Sequence, residues 1–172
     1  MGNDNNIILG SGDIAEARAF AHDVVAQKAP GAGWTETGVF VGRLGEIAFR
    51  TFLREHGIGT ELDGRIYGST DGDATDIAYR GWWIDVKCTS DGRQHALYVS
   101  CDKLRGREQR GELSHYYAFV RLGHPRDAEG RPARSFGEAV EYPATICGWV
   151  DVRHILDDER RQRTLGGRSS VR

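Results

Sequence analysis

The sequence is short of everything that marks a secreted, membrane-spanning or zinc-stapled protein. Its 172 residues include three cysteines, Cys88, Cys101 and Cys147, an odd number with no CxxC spacing. That argues against a disulfide framework and a zinc site, and predicts reduced, mostly buried thiols. No apolar run approaches the length that crosses a bilayer. The opening MGNDNNIILGSGD has neither the basic nor the apolar region of a signal peptide. A cytoplasmic protein with no membrane partner is the expectation. Glycine-rich phosphate loops and nucleophile motifs are also missing, which weighs against a small-molecule enzyme. The six histidines show no HxxxH spacing and are given no role. An excess of charge of one sign is missing too. The formal net charge is −2, which does not advertise a nucleic-acid binder. What matters for phosphate binding, however, is where the positive charge sits, because contacts are screened beyond about 10 Å at 0.1 M salt.

What is present suits one globular domain over 1–172, with enough apolar residues for a core. Residues 1–12 are polar and Gly/Asn-rich and read as a loose lead-in. From Asp13, apolar residues at Ile14, Ala17, Phe20, Ala21, Val24 and Val25 have helical spacing, predicting a helix over 13–29 that ends before Pro30-Gly31. A second helix is expected from about Thr37 to His56, with Gly57 as its natural stop. The core then runs over 38–152: an extended segment after Gly57, a hairpin within 72–90, a strand at 95–100 and a short basic helix at 101–112. A central strand at 115–122, a loop at 123–137 and a last strand at 144–152 complete it. A terminal helix fades into a flexible basic tail at 164–172. The order predicts an α/β fold, bordering on α+β, with a central mixed sheet of four to five strands flanked by helices.

The stretch GDATDIAYRGWWIDVKCTS, residues 72–90, places charges inside an apolar hairpin, where an unpaired charge is costly to desolvate. With Arg80-Gly81 as a two-residue turn, or 79–82 as a four-residue loop, residues whose numbers sum to 161 pair. Asp76 then opposes Asp85, with Lys87 on the same face and Ile77, Ile84 and Val86 on the other. Any odd loop would drive a carboxylate into the core. Trp82 falls on the core side and Trp83 on the Asp85 side, with core packing expected for at least one. Two carboxylates held this close repel, and Lys87 offsets only one of them. Mg²⁺ would offset both, taking oxygen from Asp76, Asp85 and the Val86 carbonyl. The plainer alternative is a solvent-facing Asp–Lys pair.

An aspartate on one strand followed by (D/E)-x-K on the next resembles the PD-(D/E)XK nuclease superfamily, here as GDATD…WWIDVK. In that family a glutamate on a preceding helix often completes the metal shell, and Glu46 in GRLGEIAFRTFL occupies the matching place. The strict Pro-Asp dipeptide is absent, since Thr75 precedes Asp76. The resemblance covers roughly residues 38–122. It implies a restriction-endonuclease-like core and a Mg²⁺-dependent deoxyribonuclease, with Mn²⁺ able to substitute. Asp76, Asp85, Glu46 and the Val86 carbonyl would hold the metal, and Lys87 would act at the attacking water. Glu46 also has a plainer reading, because Arg43 and Arg50 share its helix face. Arg93, Lys103, Arg105, Arg107 and Arg110 are candidates for DNA phosphates, and the 103–110 cluster reads equally as a solvated face.

An endonuclease is the leading expectation. Within the family, the alternatives are a Holliday-junction resolvase and an exonuclease. A resolvase needs a homodimer, for which helix 13–29 offers a surface. Outside catalysis, the alternative is a nucleic-acid-binding module that keeps the nuclease fold.

Overall fold

A computed structural model describes residues 5–28, 35–62, 76–90, 99–135 and 137–164. The strands are β1 (Asn6–Leu9), β2 (Glu61–Leu62), β3 (Ile77–Tyr79), β4 (Trp82–Ser90), β5 (Tyr116–Leu122) and β6 (Tyr142–Asp151). The helices are α1 (Ser11–Gln27), α2 (Glu36–Glu55), α3 (Cys101–Arg110) and α4 (Val152–Thr164). The strands form one mixed sheet in the order β1-β6-β5-β4-β3-β2, in which β2 is a two-residue edge. Among the described strands only β4 and β5 run parallel, and such a pair needs a crossover, here made through α3. The expected mixed α/β character holds.

The hairpin register follows the alternation that predicted it. Ile77 pairs Ile84, Ala78 pairs Trp83 and Tyr79 pairs Trp82. Arg80 and Gly81 both have positive φ, at 47° and 83°, the backbone of a two-residue turn matched to strand twist. Gly57 stops α2 with φ of 77°. The central position of β5 also stands as expected, and its alternation divides the interior in two. Ala118 and Val120 join a large core with Ile77 and Val86 under α1 and α2. Tyr117 joins a smaller core with Leu104 of α3 and with Val152, Ile155 and Leu156 of α4, and Phe119 packs against it.

Four expectations are corrected. The lead-in is in part a strand: β1 pairs with β6, and Ile7 and Leu9 are buried. Residues 99 and 100 are not strand. Ser100 instead caps α3, its hydroxyl accepting from the Lys103 N–H; residues 95–98 lie outside the described residues. Both hairpin tryptophans are exposed. Of the thiols, Cys147 is exposed and Cys88 half-buried. Cys147 is the extra residue of a bulge, since Phe119 pairs Gly148 and Val120 pairs Ile146. The apolar stripe expected on the first helix, Ile14, Ala17, Ala21 and Val24, is spent inside the chain, in the core shared with α2. The tail from 165 onward lies outside the described residues.

Candidate functional site

Alternation along β4 sends Ile84, Val86 and Cys88 toward α2, and Asp85 and Lys87 toward α3. Asp85 is almost completely buried, at 1 % exposure. One of its oxygens takes the Lys87 ammonium, and the other takes Arg107 Nη1 at 2.9 Å. The Lys87 nitrogen also lies 5.3 Å above the Tyr117 ring. Tyr117 pairs with Asp85 across the parallel β4–β5 register. Burial and the neighbouring Asp85 carboxylate push the Tyr117 hydroxyl far above its ordinary pKa, so it stays protonated.

Asp76 does not simply stack opposite Asp85. It sits just beyond the last paired residue of β3, at the edge of β4. There its N–H donates to the Ile84 carbonyl at 3.0 Å, and its Oδ2 accepts the Val86 N–H at 2.5 Å. A residue's N–H and C=O share one edge of a strand, so the Val86 carbonyl faces the same side as Asp76. Burial raises the Asp76 carboxyl well above the usual carboxylate range. The Glu46 and then the Asp85 carboxylates raise it further, while Lys87 and the Val86 N–H pull it back. Asp76 is therefore the point where the two faces of the sheet meet: Glu46 acts on it from the α2 side, Asp85 and Lys87 from the α3 side.

What brings Glu46 there is the contact one residue earlier. A Cβ added at Gly45 would stand 2.5 Å from Cys88 Cβ, so glycine lets α2 lie directly on β4. The glycine thus serves helix–sheet packing, and Glu46 follows at the strand edge. The Glu46 carboxylate is held by Arg43 at 2.8 Å. Arg43 is itself buried, lies 4.2 Å from the Phe20 ring and also reaches Glu16. Arg50, the other expected neighbour, turns to Glu16 of α1 at 3.1 Å. Burial, then Glu46, lifts the Cys88 thiol to about 12.

The basic cluster divides. Arg107 is buried on Asp85 and is not a surface phosphate contact, because Leu104 and Arg107, one turn apart, face the smaller core. Lys103 is exposed, Arg105 is half-buried and pairs with Asp102, and exposed Arg110 pairs with Glu112. Arg93 lies outside the described residues. Arg43, Arg107 and Tyr117 are the site residues that sequence reasoning missed as such. The Leu104–Arg107 spacing signals a buried face for Arg107. No local signal marks Tyr117, whose place depends on which strand lies beside β4.

The donor set fits a hard cation in kind: carboxylates from three elements and one main-chain carbonyl, all oxygen. As the side chains stand, each carboxylate is engaged elsewhere. Among the described residues, no three His, Cys, Asp or Glu side chains are grouped closely enough to hold an ion. A metal at this edge would need Asp85 and Glu46 to exchange a cationic partner for it. Comparison with known proteins finds no matching family model, no matching curated protein and no matching solved structure.

Proposed function

We propose that this protein is a metal-dependent nuclease that hydrolyses DNA phosphodiester bonds, acting as an endonuclease through Asp76, Asp85, Lys87 and Glu46. One observation carries the reading. Asp76 is tied to the Val86 N–H, and its ionisation is opposed by burial and by two further carboxylates. Such an arrangement is costly by itself and is relieved by a divalent cation. Asp76, Asp85, Glu46 and the Val86 carbonyl would hold Mg²⁺, or Mn²⁺ in its place. When bound, the ion supplies Lewis acidity toward a phosphoryl oxygen and toward water.

The chain's own groups do the rest. Lys87, half-exposed and seated on Asp85, presents a compact cation that orients the attacking water and neutralises charge gathering on the phosphate. Arg107 and the protonated Tyr117 hydroxyl keep Asp85 fixed beneath it. Lys103, Arg105 and Arg110 on α3 lead away from this point toward solvent and would contact the DNA backbone.

A second reading has its own support. Asp85 is already matched by two cations, and Glu46 by Arg43. The same residues would then be an ion-pair network in a module that binds nucleic acid without cutting it.

Supercoiled, linear and four-way-junction DNA, incubated with and without Mg²⁺, separates the two. Nicking is expected with Mg²⁺ only, falling about a hundredfold or more in Asp85→Asn and Lys87→Met. Equal nicking by wild type and both variants, or none by wild type, ends the nuclease reading. Cutting of circular DNA excludes a strict exonuclease, and preference for the junction would favour a resolvase.

A further inference from the structure

The hairpin tip and the C-terminal end of α2 enclose a groove of about 510 Å³ on the α2 side of the sheet. Its lining is mostly aromatic: Phe49, Phe52 and His56 of α2, Tyr79 and Trp82 of the hairpin, and Trp149 of β6. The rings form two walls. Trp149 stands 6.5 Å from Phe49 and 6.1 Å from Phe52, which lies 4.3 Å from His56. Opposite them, Trp82 is braced at 5.4 Å by Tyr116. Folding does not require these tryptophans to be outside. Trp82 and Trp149 nevertheless remain 46 % and 59 % exposed.

We infer that this groove binds an unstacked nucleobase of single-stranded DNA. Three observations select that occupant over an acyl chain or an apolar protein segment. The rings around Trp82 and Trp149 are tilted 50–58° to these tryptophans and leave both half-exposed, so each offers an indole to a flat ring, and stacking tolerates any base. The lining also carries a polar side chain, His56. His56 Nδ1 lies 2.8 Å from the Phe52 carbonyl, which can only accept, so Nδ1 is spent as the donor of that bond and Nε2 is the ring nitrogen left for a ligand. A cation also stands nearby for the phosphate that accompanies every base: exposed Arg80, its guanidinium 5.2 Å from the Tyr79 ring at the hairpin tip.

The groove meets the acidic edge at one residue. Ile84 lines it, and the Ile84 carbonyl accepts the Asp76 N–H. A strand entering the groove would therefore pass Asp76 within a few residues' length of chain. The inference deepens the nuclease proposal by naming its substrate class, single-stranded or locally opened DNA, and rests on that proposal for the choice of DNA.

The test is binding in EDTA, where nothing is cut. Fluorescence anisotropy compares a labelled 12-nucleotide single strand, its duplex and a strand of the same length made wholly of abasic sites. The single strand is expected to bind at least tenfold more tightly than the abasic one. Trp82→Ala and Trp149→Ala should each lose about five- to a hundredfold on the single strand, little on the abasic one, and Trp82→Phe should recover most of it. Equal affinity for strands with and without bases, or Trp82→Ala binding like wild type, overturns the inference. A Mg²⁺ cleavage assay on the same strands separates the two proposals. Base-dependent binding without cleavage sinks the nuclease alone, and cleavage with unaltered binding in the tryptophan variants sinks the groove alone.

Discussion

Arg107 Nη1 stands 2.9 Å from Asp85 Oδ2, with both side chains buried between β4 and α3. The pair links the crossover helix to the strand that carries the candidate site. A buried carboxylate that loses its partner keeps its desolvation cost, which makes breaking such a pair worth about 3–5 kcal/mol. Asp85 would still hold half-exposed Lys87, so Arg107→Met should fall at the low end of that range. Lys87→Met, which leaves the buried partner in place, should cost less. Urea unfolding of the two variants checks the order, and a more stable Arg107→Met would show that the pair does not anchor α3.

The approach of α2 to β4 depends on a missing methyl group. At Gly45 an added Cβ would meet Cys88 Cβ at 2.5 Å and Cys88 Sγ at 2.7 Å, closer than side chains can sit. Gly45→Ala should therefore destabilise by about 1–3 kcal/mol through overpacking, although alanine is the better helix former. Gly42, one turn earlier, has nothing within 4 Å of its added Cβ. Gly42→Ala should be neutral or stabilising in the same denaturation experiment. A reversal of the two effects would refute the close approach.

Local pattern was enough for the elements whose residues answer to their own neighbours. Alternation around Arg80-Gly81 gave the hairpin pairing residue by residue, and the apolar run at 115–122 gave a strand with a core on each side. It failed where a distant partner decides. Strand β1 is four residues set among Asn and Gly, ordered by its pairing with β6, nearly the whole chain away, and by the burial of Ile7 and Leu9 in the core. For Arg107, charge suggested solvent, but the helix turns it onto a carboxylate from β4. Asp76 was expected on one face of the sheet. It lies instead at the edge of β4, because β3 begins only at the next residue and the Asp76 side chain takes the Val86 N–H in place of a ladder bond. At least one of the tryptophans at 82 and 83 was expected in the core, yet at the hairpin tip both stay exposed.

Thiol chemistry should distinguish two cysteines that composition treats alike. Cys88 is packed under Gly45 beside Glu46, and its thiol is pushed up to about 12. Cys147 is exposed at the bulge of β6. Since the thiolate is the reactive form, a disulfide reagent at pH 8 should label Cys147 within minutes and leave Cys88 intact until the protein unfolds. Peptide mass mapping reads the result. Early labelling of Cys88 would mean that α2 opens from β4 in the native state.

Asp76 gives the site a pH signature whose sign follows from its surroundings. Its carboxyl is raised in the folded chain by burial, Glu46 and Asp85, while the unfolded chain titrates at the ordinary carboxylate value. Between those two values the folded state holds a proton that the unfolded state has released. Stability from this group therefore falls as pH rises through that window and stays low above it. Asp76→Asn has no proton to lose. Relative to wild type it should gain stability as pH rises above the ordinary carboxylate value, level off once pH passes the raised value of the folded chain, and gain nothing at pH 3. Mg²⁺ acts in the opposite sense, because it binds the ionised form. At pH 7 and a concentration a hundredfold above its dissociation constant it should return about 2.7 kcal/mol to wild type. For a domain of this size that corresponds to roughly 2–4 °C in the thermal midpoint for each kcal/mol. The variant should show little of that shift. Thermal melts of both proteins from pH 3 to 8, with and without Mg²⁺, make the comparison. A wild-type minus variant difference that does not change with pH would remove the raised carboxyl. A Mg²⁺ shift that survives Asp76→Asn would place any bound cation elsewhere on the chain.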